Sequence, residues 1–449
     1  MRRRGLLLAG AAALAGIGLL LIVGLAPGCG GSGGRPCMEV VAHVRYDMGG
    51  DLQFQRRSGA HKIDGVSVDS MTDLAFASAH TDTSRVDGGI EIIDITHPSN
   101  PRTLTRIPCP GYQSDVAVHE TLLVQTLDHA GSNVGCDPEW LQTSGSAAVD
   151  RAGTGGVRIF DVSDPARPRL VHFLEVKGEI GDGVHDVTVL PWAGVAYLAQ
   201  LNGELGILDL GDPAFPYTAI DVASISAEMK SSCHDIGLDP VRLLAFCPAN
   251  EDETYVLDVR EPMRPAYLSK IVNAALSRHH GAFMAPDGVT LVLESEYDHP
   301  PEVASDAPAG LWFYDLTEPA DPELLGSWAP ASCEPSEDAE RACASHWLNF
   351  IPGTNRLVAA WRHEGVFVVD YTDRAAPVEA GFFSPSSRVS ALRLVAGSDF
   401  WTAYFWHGHV YGTSGGSRSG LYVLRDDDIT DAEPSPYDEG TSWGRWTAR

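Results

Sequence analysis

The sequence has few positively charged residues. It contains 32 Lys and Arg against 60 Asp and Glu in 449 residues, which gives a formal net charge of −28. A protein that binds a nucleic-acid backbone needs Lys and Arg facing the phosphates, and one that docks electrostatically on anionic lipid needs a basic patch. The composition therefore argues against both kinds of partner. It predicts a solvated acidic surface that keeps the protein soluble.

Hydrophobic residues form one long run, at the N-terminus. Arg2–Arg4 precede an unbroken apolar segment from Gly5 to Leu25, a pattern typical of an export signal. The run ends in Ala26-Pro27-Gly28-Cys29 and the Gly-rich stretch GGSGGRP. Small residues before a Cys resemble the lipobox of bacterial lipoproteins, although Ala26 and Pro27 depart from that motif. We predict an export signal over 1–28, lipidation of Cys29 and a tether over 29–37; an uncleaved membrane anchor is the alternative.

Cysteine is scarce, and none of the eight Cys forms a CxxC pair that would indicate zinc binding or thiol-redox catalysis. In an exported chain such cysteines form disulfides. With Cys29 carrying lipid, seven remain, so at least one is unpaired, and we assign Cys37 to that role. The predicted disulfides are Cys109–Cys136, Cys233–Cys247 and Cys333–Cys343.

Glycine and proline are abundant, with 46 Gly and 29 Pro, which favours many turns between short strands. Some of these residues belong to a phrase that returns along the chain. The segment GGVRIFDVSDPARP (155–168) recurs five more times with substitutions. A truncated last copy has Arg425 at the Asp position. Each copy is an apolar, β-branched run that predicts a strand, followed by a turn that Asp and Pro form. The shared residues are Asp94, Asp161, Asp209, Asp258, Asp315 and Asp370.

The neighbours of this phrase recur as well. Two strands precede it, as at 185–189 and 194–200, and a fourth follows it, as at 169–176; the Asp positions lie 48 to 67 residues apart. Four strands per unit at this spacing predict a β-propeller blade. There are seven units, and the last lacks a fourth strand that residues 38–46 can supply. The sequence thus predicts an all-β, seven-bladed β-propeller over 38–425, with its ring closed by the N-terminal strand pairing into the last blade, and an acidic tail over 426–449.

The repeat phrase, with inner strands such as HDVTV, resembles the LVIVD-repeat proteins of bacterial and archaeal cell surfaces. The ending FWHGHVYGTSGGSRSGLYVLR (405–425) is similar to the last blade of that family. The resemblance covers roughly residues 38–425. It implies an exported propeller in the cell envelope, and it implies no particular reaction.

The strand order places the variable loops on one rim of the propeller. The Asp-Pro turns join third and fourth strands, so the loops between second and third strands, and between blades, lie on the opposite rim, here called the top face. Long insertions fall there, at 128–155, 297–309 and 331–345. Because function resides on loops that a rigid scaffold positions, we predict that the top face is the working surface. The alternative is that these insertions have no function and accumulated in loops that tolerate them.

Four histidines occupy one equivalent position. His185, His234, His280 and His346 begin the first strands of blades three to six, where blades one, two and seven place Asp64, Ser114 and Ser390. First strands line the propeller axis, so we expect the four imidazoles near the top mouth of the channel, with Glu294 and Glu296 approaching it. Imidazole binds Zn, Cu, Fe and Ni. The alternative is that these His are polar channel residues that were copied with the repeat.

The repeated Asp residues of the turns could bind calcium. The alternative is that their side chains only cap the turns.

Two functions follow from this sequence. The first is an exported, envelope-anchored propeller whose top face binds a protein, a glycan or a small molecule. The alternative is a metal-dependent enzyme, of redox or oxygen chemistry, that uses the four His with a transition-metal ion as cofactor. Seven-bladed propellers host both kinds of protein, so the fold does not choose between them.

Overall fold

The computed structural model describes residues 37–429, except 47–48, 58–59, 64–65, 70, 80–87, 130–132, 178–182, 201, 250–252, 277, 297–309, 332, 334–343, 363, 386–398 and 416–417, together with 441–442. Within these residues the chain is a seven-bladed β-propeller, as the repeat predicts. The predicted export signal, Cys29, Cys343 and the insertion at 297–309 lie outside the described residues. Of the helices described, none is long and apolar enough to cross a membrane.

Each blade is an antiparallel sheet whose first strand lies nearest the axis. The N-terminal strand β1 (Glu39–Val44) belongs to the last blade. Blade one contains β2 (Gly49–Arg57), the hairpin β3 (Ala60–Ile63) and β4 (Val66–Asp69), then β5 (Thr72–Ala79), β6 (Ile90–Asp94) and β7 (Arg102–Ile107). Blade two contains β8 (Val116–His119), β9 (Leu122–Leu127), helix α1 (Pro138–Thr143), β10 (Gly156–Asp161) and β11 (Arg169–Glu175). Blade three contains β12 (Asp186–Leu190), β13 (Val195–Gln200), β14 (Glu204–Asp209), β15 (Tyr217–Asp221) and helix α2 (Val222–Ile225).

The remaining blades follow the same plan. Blade four contains β16 (Gly237–Asp239), β17 (Leu244–Pro248), β18 (Glu253–Asp258) and β19 (Ala266–Val272). Blade five contains β20 (His279–Met284), β21 (Thr290–Ser295), β22 (Leu311–Asp315) and β23 (Glu323–Trp328). Blade six contains β24 (Ser345–Ile351), β25 (Arg356–Trp361), β26 (Gly365–Asp370) and β27 (Val378–Phe383). Blade seven contains β28 (Phe400–Trp406), β29 (His409–Ser414) and β30 (Gly420–Arg425), while β31 (Thr441–Ser442), in the predicted tail, adds a short parallel strand to β2.

The repeated Asp residues end the third strands and form the turns that follow, here called the Asp turns. In all six, Oδ1 of the Asp accepts a hydrogen bond from the backbone N–H two residues later, at 2.8 to 3.0 Å. Arg side chains pair with several of them, as Arg102 does with Asp94. Burial alone would raise the pKa of Asp94, but hydrogen bonds from Thr96 and Arg102 outweigh it and hold that pKa below its ordinary value. Turn capping therefore accounts for the repeated Asp.

Neighbouring blades are joined by apolar side chains. A cluster of buried hydrophobic residues lies between each successive pair of blades, and another lies between blade seven and blade one. In that last cluster the ring of Phe54 stacks on Trp406, with 5.1 Å between the ring centroids. The core of the molecule is thus a ring of seven inter-blade layers, which holds the axial ends of the first strands at fixed distances.

The N-terminal strand β1 is the outer strand of blade seven. It pairs with β30 from Glu39 opposite Arg425 to Val44 opposite Leu421, with a bulge between Val40 and Ala42. Just before β1, the backbone N–H of Met38 donates a hydrogen bond to the carbonyl oxygen of Phe382 in blade six, at 3.0 Å. The last blade is therefore built from both ends of the propeller sequence.

Two of the predicted disulfides are present, Cys109–Cys136 and Cys233–Cys247. Cys333 is also disulfide-bonded, and its predicted partner Cys343 lies outside the described residues. The prediction that Cys37 is unpaired is wrong, because Cys37 is disulfide-bonded, to a cysteine outside the described residues.

The insertion in blade two is held by a buried arginine. Arg158, on β10, is fully buried and pairs with Asp150, its Nε 2.9 Å from Oδ1 and its Nη2 3.0 Å from Oδ2. The same guanidinium donates to Asn133 Oδ1 at 2.6 Å and to the carbonyl of Pro110 at 2.8 Å. One side chain thus ties the insertion to the segment that carries the Cys109–Cys136 disulfide, so this part of the top face is anchored to the scaffold.

Candidate metal centre

The candidate site is a cavity at the rim of the channel where the first strands begin. Strand pairing identifies this rim: Asp186, which opens β12, lies opposite Ala199, whereas Asp209 of an Asp turn lies opposite Val195 at the other end of β13. The cavity is therefore on the top face, opposite the Asp turns. It has a volume of about 110 Å³, which accommodates several water molecules or one small ligand.

The four predicted histidines lie side by side along one wall of this cavity. Their ring centroids are separated by 4.1 Å from His185 to His234, 4.4 Å from His234 to His280 and 4.8 Å from His280 to His346. Trp401 extends the row, with its ring centroid 3.9 Å from that of His346. The structure thus brings together imidazoles that are up to 161 residues apart in the sequence. They form an arc across blades three to six, which Trp401 extends into blade seven.

Backbone irregularities aim these side chains at the axis. The pairing of β20 with β21 shifts register between His279 and Ala282, and that of β24 with β25 shifts between Ser345 and Trp347, so His280 and His346 lie at β-bulges. A bulge re-aims a side chain and is common next to functional sites. His234 is held differently. It follows the disulfide-bonded Cys233, and its backbone N–H donates to the carbonyl oxygen of Pro248 at 2.7 Å.

The first strands of blades one and seven differ from the sequence assignment. The first strand of blade one is β2, where Asp51 accepts a hydrogen bond from Val116 N–H of the next blade, just as Asp186 does from Ile236 N–H. The position equivalent to His185 in blade one is therefore Gly50. In blade seven a bulge in β28 places Trp401 there. The first strands of these two blades, β2 and β28, contain neither Asp64 nor Ser390, to which the sequence assigned this position, and both residues lie outside the described residues.

Carboxylates are interleaved with the imidazoles. Asp235 Oδ1 lies 3.2 Å from His234 Nδ1 and 3.9 Å from His185 Nε2, and its Oδ2 lies 3.2 Å from His280 Nδ1. Glu294 Oε1 lies 2.9 Å from the same His280 nitrogen. Glu296 Oε2 lies 3.7 Å from His280 Nε2. Imidazole and carboxylate together form the donor set that first-row transition metals use in proteins.

Glycine at position 281 permits the closest of these contacts. A Cβ on Gly281 would lie 2.6 Å from Glu294 Oε1, so any larger residue would displace the carboxylate from His280. Glu294 itself is completely buried. A buried carboxylate this close to an imidazole needs either a proton or a cation to offset its desolvation.

Sets of three ligand atoms within 4.8 Å of one another occur at four places among the described residues. Three combine His with carboxylates, and one consists of Asp alone. The members are His185, His234 and Asp235; His234, His280 and Glu296; Asp235, His280 and Glu294; and Asp115, Asp186 and Asp235. No set in the described part of the chain includes His346 or more than two His, so the four imidazoles form a row rather than a single four-His cage.

Burial sets the protonation of this centre. It lowers the pKa of His234 and of His280 well below the ordinary value, so both imidazoles are neutral near pH 7 and each offers a lone pair. Burial also raises the pKa of Asp235 well above its ordinary value, and the carboxylates of Asp186 and Glu294 add to this shift. Burial raises the pKa of Glu294 in the same direction. Without a cation, burial therefore favours the protonated, uncharged form of these two carboxyl groups, and a bound cation would favour the ionised form.

Aromatic and guanidinium groups complete the cavity wall. Trp347 and Trp401 line it, and the Arg362 guanidinium lies 5.1 Å from the Trp401 ring centroid. Both Arg278 and Arg362 face Glu296, with N–O distances of 2.9 and 3.7 Å. The wall thus has an apolar, positively charged sector beside the imidazoles.

Three Asp residues of the inner strands belong to the site although the sequence did not single them out. Asp115, Asp186 and Asp235 follow Ser114, His185 and His234 in three successive blades, and they are close enough together to form one of the four sets. Their signal was visible in the Ser-Asp or His-Asp pair at the start of the first strands of blades two to four. Burial raises the pKa of Asp51, the equivalent residue in blade one, to about 7.

The weaker histidine candidates lie elsewhere. His279 is buried, with its Nδ1 2.7 Å from Thr254 Oγ1, and it points away from the row. His409 lies at the hairpin between β28 and β29, where its Nδ1 is 3.2 Å from the carbonyl oxygen of His407. Neither joins a set of ligand atoms in the part of the chain that the structure describes.

No family model matches the chain, and no curated protein matches it. The resemblance to LVIVD-repeat proteins therefore stays a prediction. Solved structures are similar to it in fold. The β-propeller domain of Cps50 (Swd1) from Myceliophteria thermophila is 10% identical over 86% of this chain and 98% of that chain, with a TM-score of 0.52. Raptor from Chaetomium thermophilum is 11% identical over 89% of this chain, with a TM-score of 0.53, and the chain spans 29% of the length of that protein. At such identities the likeness is one of fold alone.

Proposed function

We propose that this protein is an exported, envelope-anchored propeller that binds a transition-metal ion at the mouth of its channel. The observation that carries the proposal is the approach of imidazole nitrogens and carboxylate oxygens from successive blades to within 2.9 to 3.9 Å of one another. Ligands bound to one Zn²⁺ at ~2.0–2.2 Å have separations of this order. Two of the imidazoles are neutral because they are buried, which is the form that binds metal.

The ion is expected to be a first-row transition metal. Oxygen-only sites suit Mg²⁺ and Ca²⁺, whereas imidazole suits Zn, Cu, Fe and Ni. A bound cation would also offset the buried charge of Asp235 and Glu294. His346 would lie beside the ion and the cavity, with Trp401 against its face.

Replacing His234 and His280 together with Ala is expected to abolish metal binding, because those two imidazoles contribute to every His-containing set of ligand atoms in the described chain. The purified wild-type protein, expressed in metal-replete medium, is expected to retain at least about one transition-metal ion per chain by elemental analysis. Replacing His97 and His409, which lie outside the site, is the matched control and should leave the metal content unchanged. Wild-type protein without metal, or metal that the double substitution leaves in place, would refute the site and favour histidines copied with the repeat.

Binding of a partner on the same face is the broader form of this proposal. Propellers commonly mediate partner binding, and here the blade-two insertion is anchored on the top face by Arg158 and a disulfide. The partner would be a protein, a glycan or a small molecule.

An enzymatic role is favoured by the space beside the ligands. A catalytic metal site keeps an open position for substrate, and the cavity lined by Trp347, Trp401 and Arg278 leaves such a position next to the imidazoles. Redox or oxygen chemistry would require the metal-loaded protein to consume dioxygen in the presence of a reductant, at a rate that falls to background in the His234→Ala/His280→Ala variant.

Export and anchoring are supported by the disulfides, which favour an oxidising compartment. Lipidation of Cys29 at the N-terminus of the mature protein, which we predict from the sequence, requires its thiol to be free of the disulfides that Cys37 and Cys333 form. Mass spectrometry of the membrane-extracted protein checks this: the N-terminal peptide should begin at Cys29 and carry acyl chains. An intact Met1, or a Cys29 in disulfide linkage with Cys37, would contradict the lipid anchor without affecting the metal site.

A further inference from the structure

The two carboxylate oxygens of Asp235 face different groups of ligands. Oδ1 faces His185 Nε2 and His234 Nδ1, at 3.9 and 3.2 Å. Oδ2 faces His280 Nδ1 at 3.2 Å, and that nitrogen lies 2.9 Å from Glu294 Oε1. One carboxylate therefore belongs to two His-containing sets of three donors, one at each of its oxygens.

We propose that the centre holds two divalent transition-metal ions bridged by Asp235, the first bound by His185 and His234 and the second by His280 and Glu294. This inference rests on the proposed metal-binding function and adds the number of ions and the bridging ligand. Two-metal sites in enzymes hold their ions about 3.5–4 Å apart, a distance that lets both bind one small oxygen-containing ligand.

The separations between donor atoms fit an ion in each set. Two ligands at ~2.0–2.2 Å from a tetrahedral ion lie about 3.3–3.6 Å apart, and those of an octahedral ion lie about 3 Å apart. The measured separations of 3.2 and 3.9 Å on one side of Asp235, and of 3.2 and 2.9 Å on the other, bracket these values. Small side-chain movements would bring each set onto its ion.

A buried acceptor provides an independent indication of the second ion. Oε2 of Glu294 is buried and has no hydrogen-bond partner among the described residues. An unpaired buried carboxylate oxygen costs on the order of 1–3 kcal/mol or more, and a cation bound by this carboxylate would remove that cost. The absence of a side chain at Gly281 leaves the carboxylate its place against His280.

The distribution of charge favours two ions rather than one. The guanidinium groups of Arg278 and Arg362 both pair with Glu296, the third carboxylate of the row. The imidazoles of His234 and His280, which lie against Asp235 and Glu294, are neutral and do not offset the charge of these carboxylates. Two divalent cations would neutralise both carboxylates and leave positive charge for a bound anion, so we expect the bridged pair to take a small anionic ligand such as hydroxide.

The test is a metal stoichiometry on the full chain, stripped with a chelator and reloaded with Co²⁺. Wild-type protein is expected to bind two ions per chain. His185→Ala should remove the first ion and Glu294→Gln the second, so each variant should bind one. Glu364→Gln is the matched control for Glu294→Gln and should still bind two, because Glu364 is a buried glutamate that belongs to none of the four sets of ligand atoms. Circular dichroism establishes that each variant is folded.

A second measurement needs no variant. Two Cu²⁺ ions at a bridging distance couple magnetically, so the electron paramagnetic resonance signal per copper should fall as the second equivalent binds. One ion per chain, lost from both His185→Ala and Glu294→Gln, or two uncoupled copper signals, would overturn the bridged pair and leave the proposed metal-binding function intact. Absence of any bound ion would refute both.

Discussion

A chain that begins at residue 47 is expected to lose about half of its folding free energy relative to one that begins at Met38. The two chains differ only by residues 38–46, which contain β1 and its N-terminal neighbour. Without them β30 becomes an exposed edge strand in a three-stranded last blade. Both chains lack Cys37, so the comparison does not involve its disulfide.

The size of this effect follows from what β1 buries. Met38 is buried in the cluster between blades six and seven, and Val41, Val44 and Tyr46 pack against the cluster between blades seven and one. Burial of one large apolar side chain contributes ~1.5–3 kcal/mol when complete. The loss of one fully buried and several partly buried side chains, together with the β1–β30 hydrogen bonds, comes to roughly 5 kcal/mol or more, against a total stability of ~5–15 kcal/mol for typical proteins.

Chemical denaturation measures this difference, and size-exclusion chromatography detects the aggregation that an exposed edge promotes. A synthetic peptide of residues 38–46, added to the shorter chain, should raise its unfolding midpoint, since it binds the folded state only. Equal midpoints for the two truncated chains would show that the last blade does not need its outer strand.

Arg158→Met is expected to destabilise the propeller by about 3–5 kcal/mol, because it leaves the buried Asp150 carboxylate unpaired. The Arg158 and Asp150 side chains are only 0% and 2% exposed, so water cannot replace the lost partner. The acceptors on Asn133 and Pro110 lose their donors as well. Denaturant unfolding gives the change in free energy directly.

Arg169→Met, on the adjacent strand of the same blade, is the matched control. Arg169 pairs with Asp161, but its side chain is 50% exposed, and pairs of this kind contribute about 1 kcal/mol or less. Adding Asp150→Asn to Arg158→Met should restore part of the loss, since the neutral amide costs less to bury than the carboxylate. A loss for Arg158→Met no larger than that for Arg169→Met would show that the guanidinium is not what holds the insertion.

The propeller could be predicted because its signals are local. An apolar strand that ends in Asp, followed by a Pro-containing turn, is encoded within about 14 residues, and the structure shows why Asp recurs: its carboxylate caps the turn two residues later. The count of seven blades follows from the number of copies. Two of the disulfides followed from spacing as well, since Cys233 and Cys247 flank one hairpin.

The first strands of blades one and seven could not be placed from the sequence. The repeat marks the third strand of each blade, and the other strands are inferred by counting back from it. In blade one the hairpin of β3 and β4 stands between the first strand and the second, so counting back reached Asp64 instead of Gly50. In blade seven the first strand β28 begins at Phe400, ten residues after Ser390.

The equivalence of His185, His234, His280 and His346 was determined by the sequence alone, because equivalent positions in a repeat recur in register with its turns. Their arrangement as a row, with Asp235 and Glu294 between the imidazoles, was decided by the tertiary structure. It depends on β-bulges that turn individual side chains toward the axis and on the inter-blade layers that set the spacing of the first strands. A bulge changes the direction of a side chain by local backbone geometry, and the spacing of blades arises from contacts between residues far apart in the chain; neither leaves a pattern within a single strand.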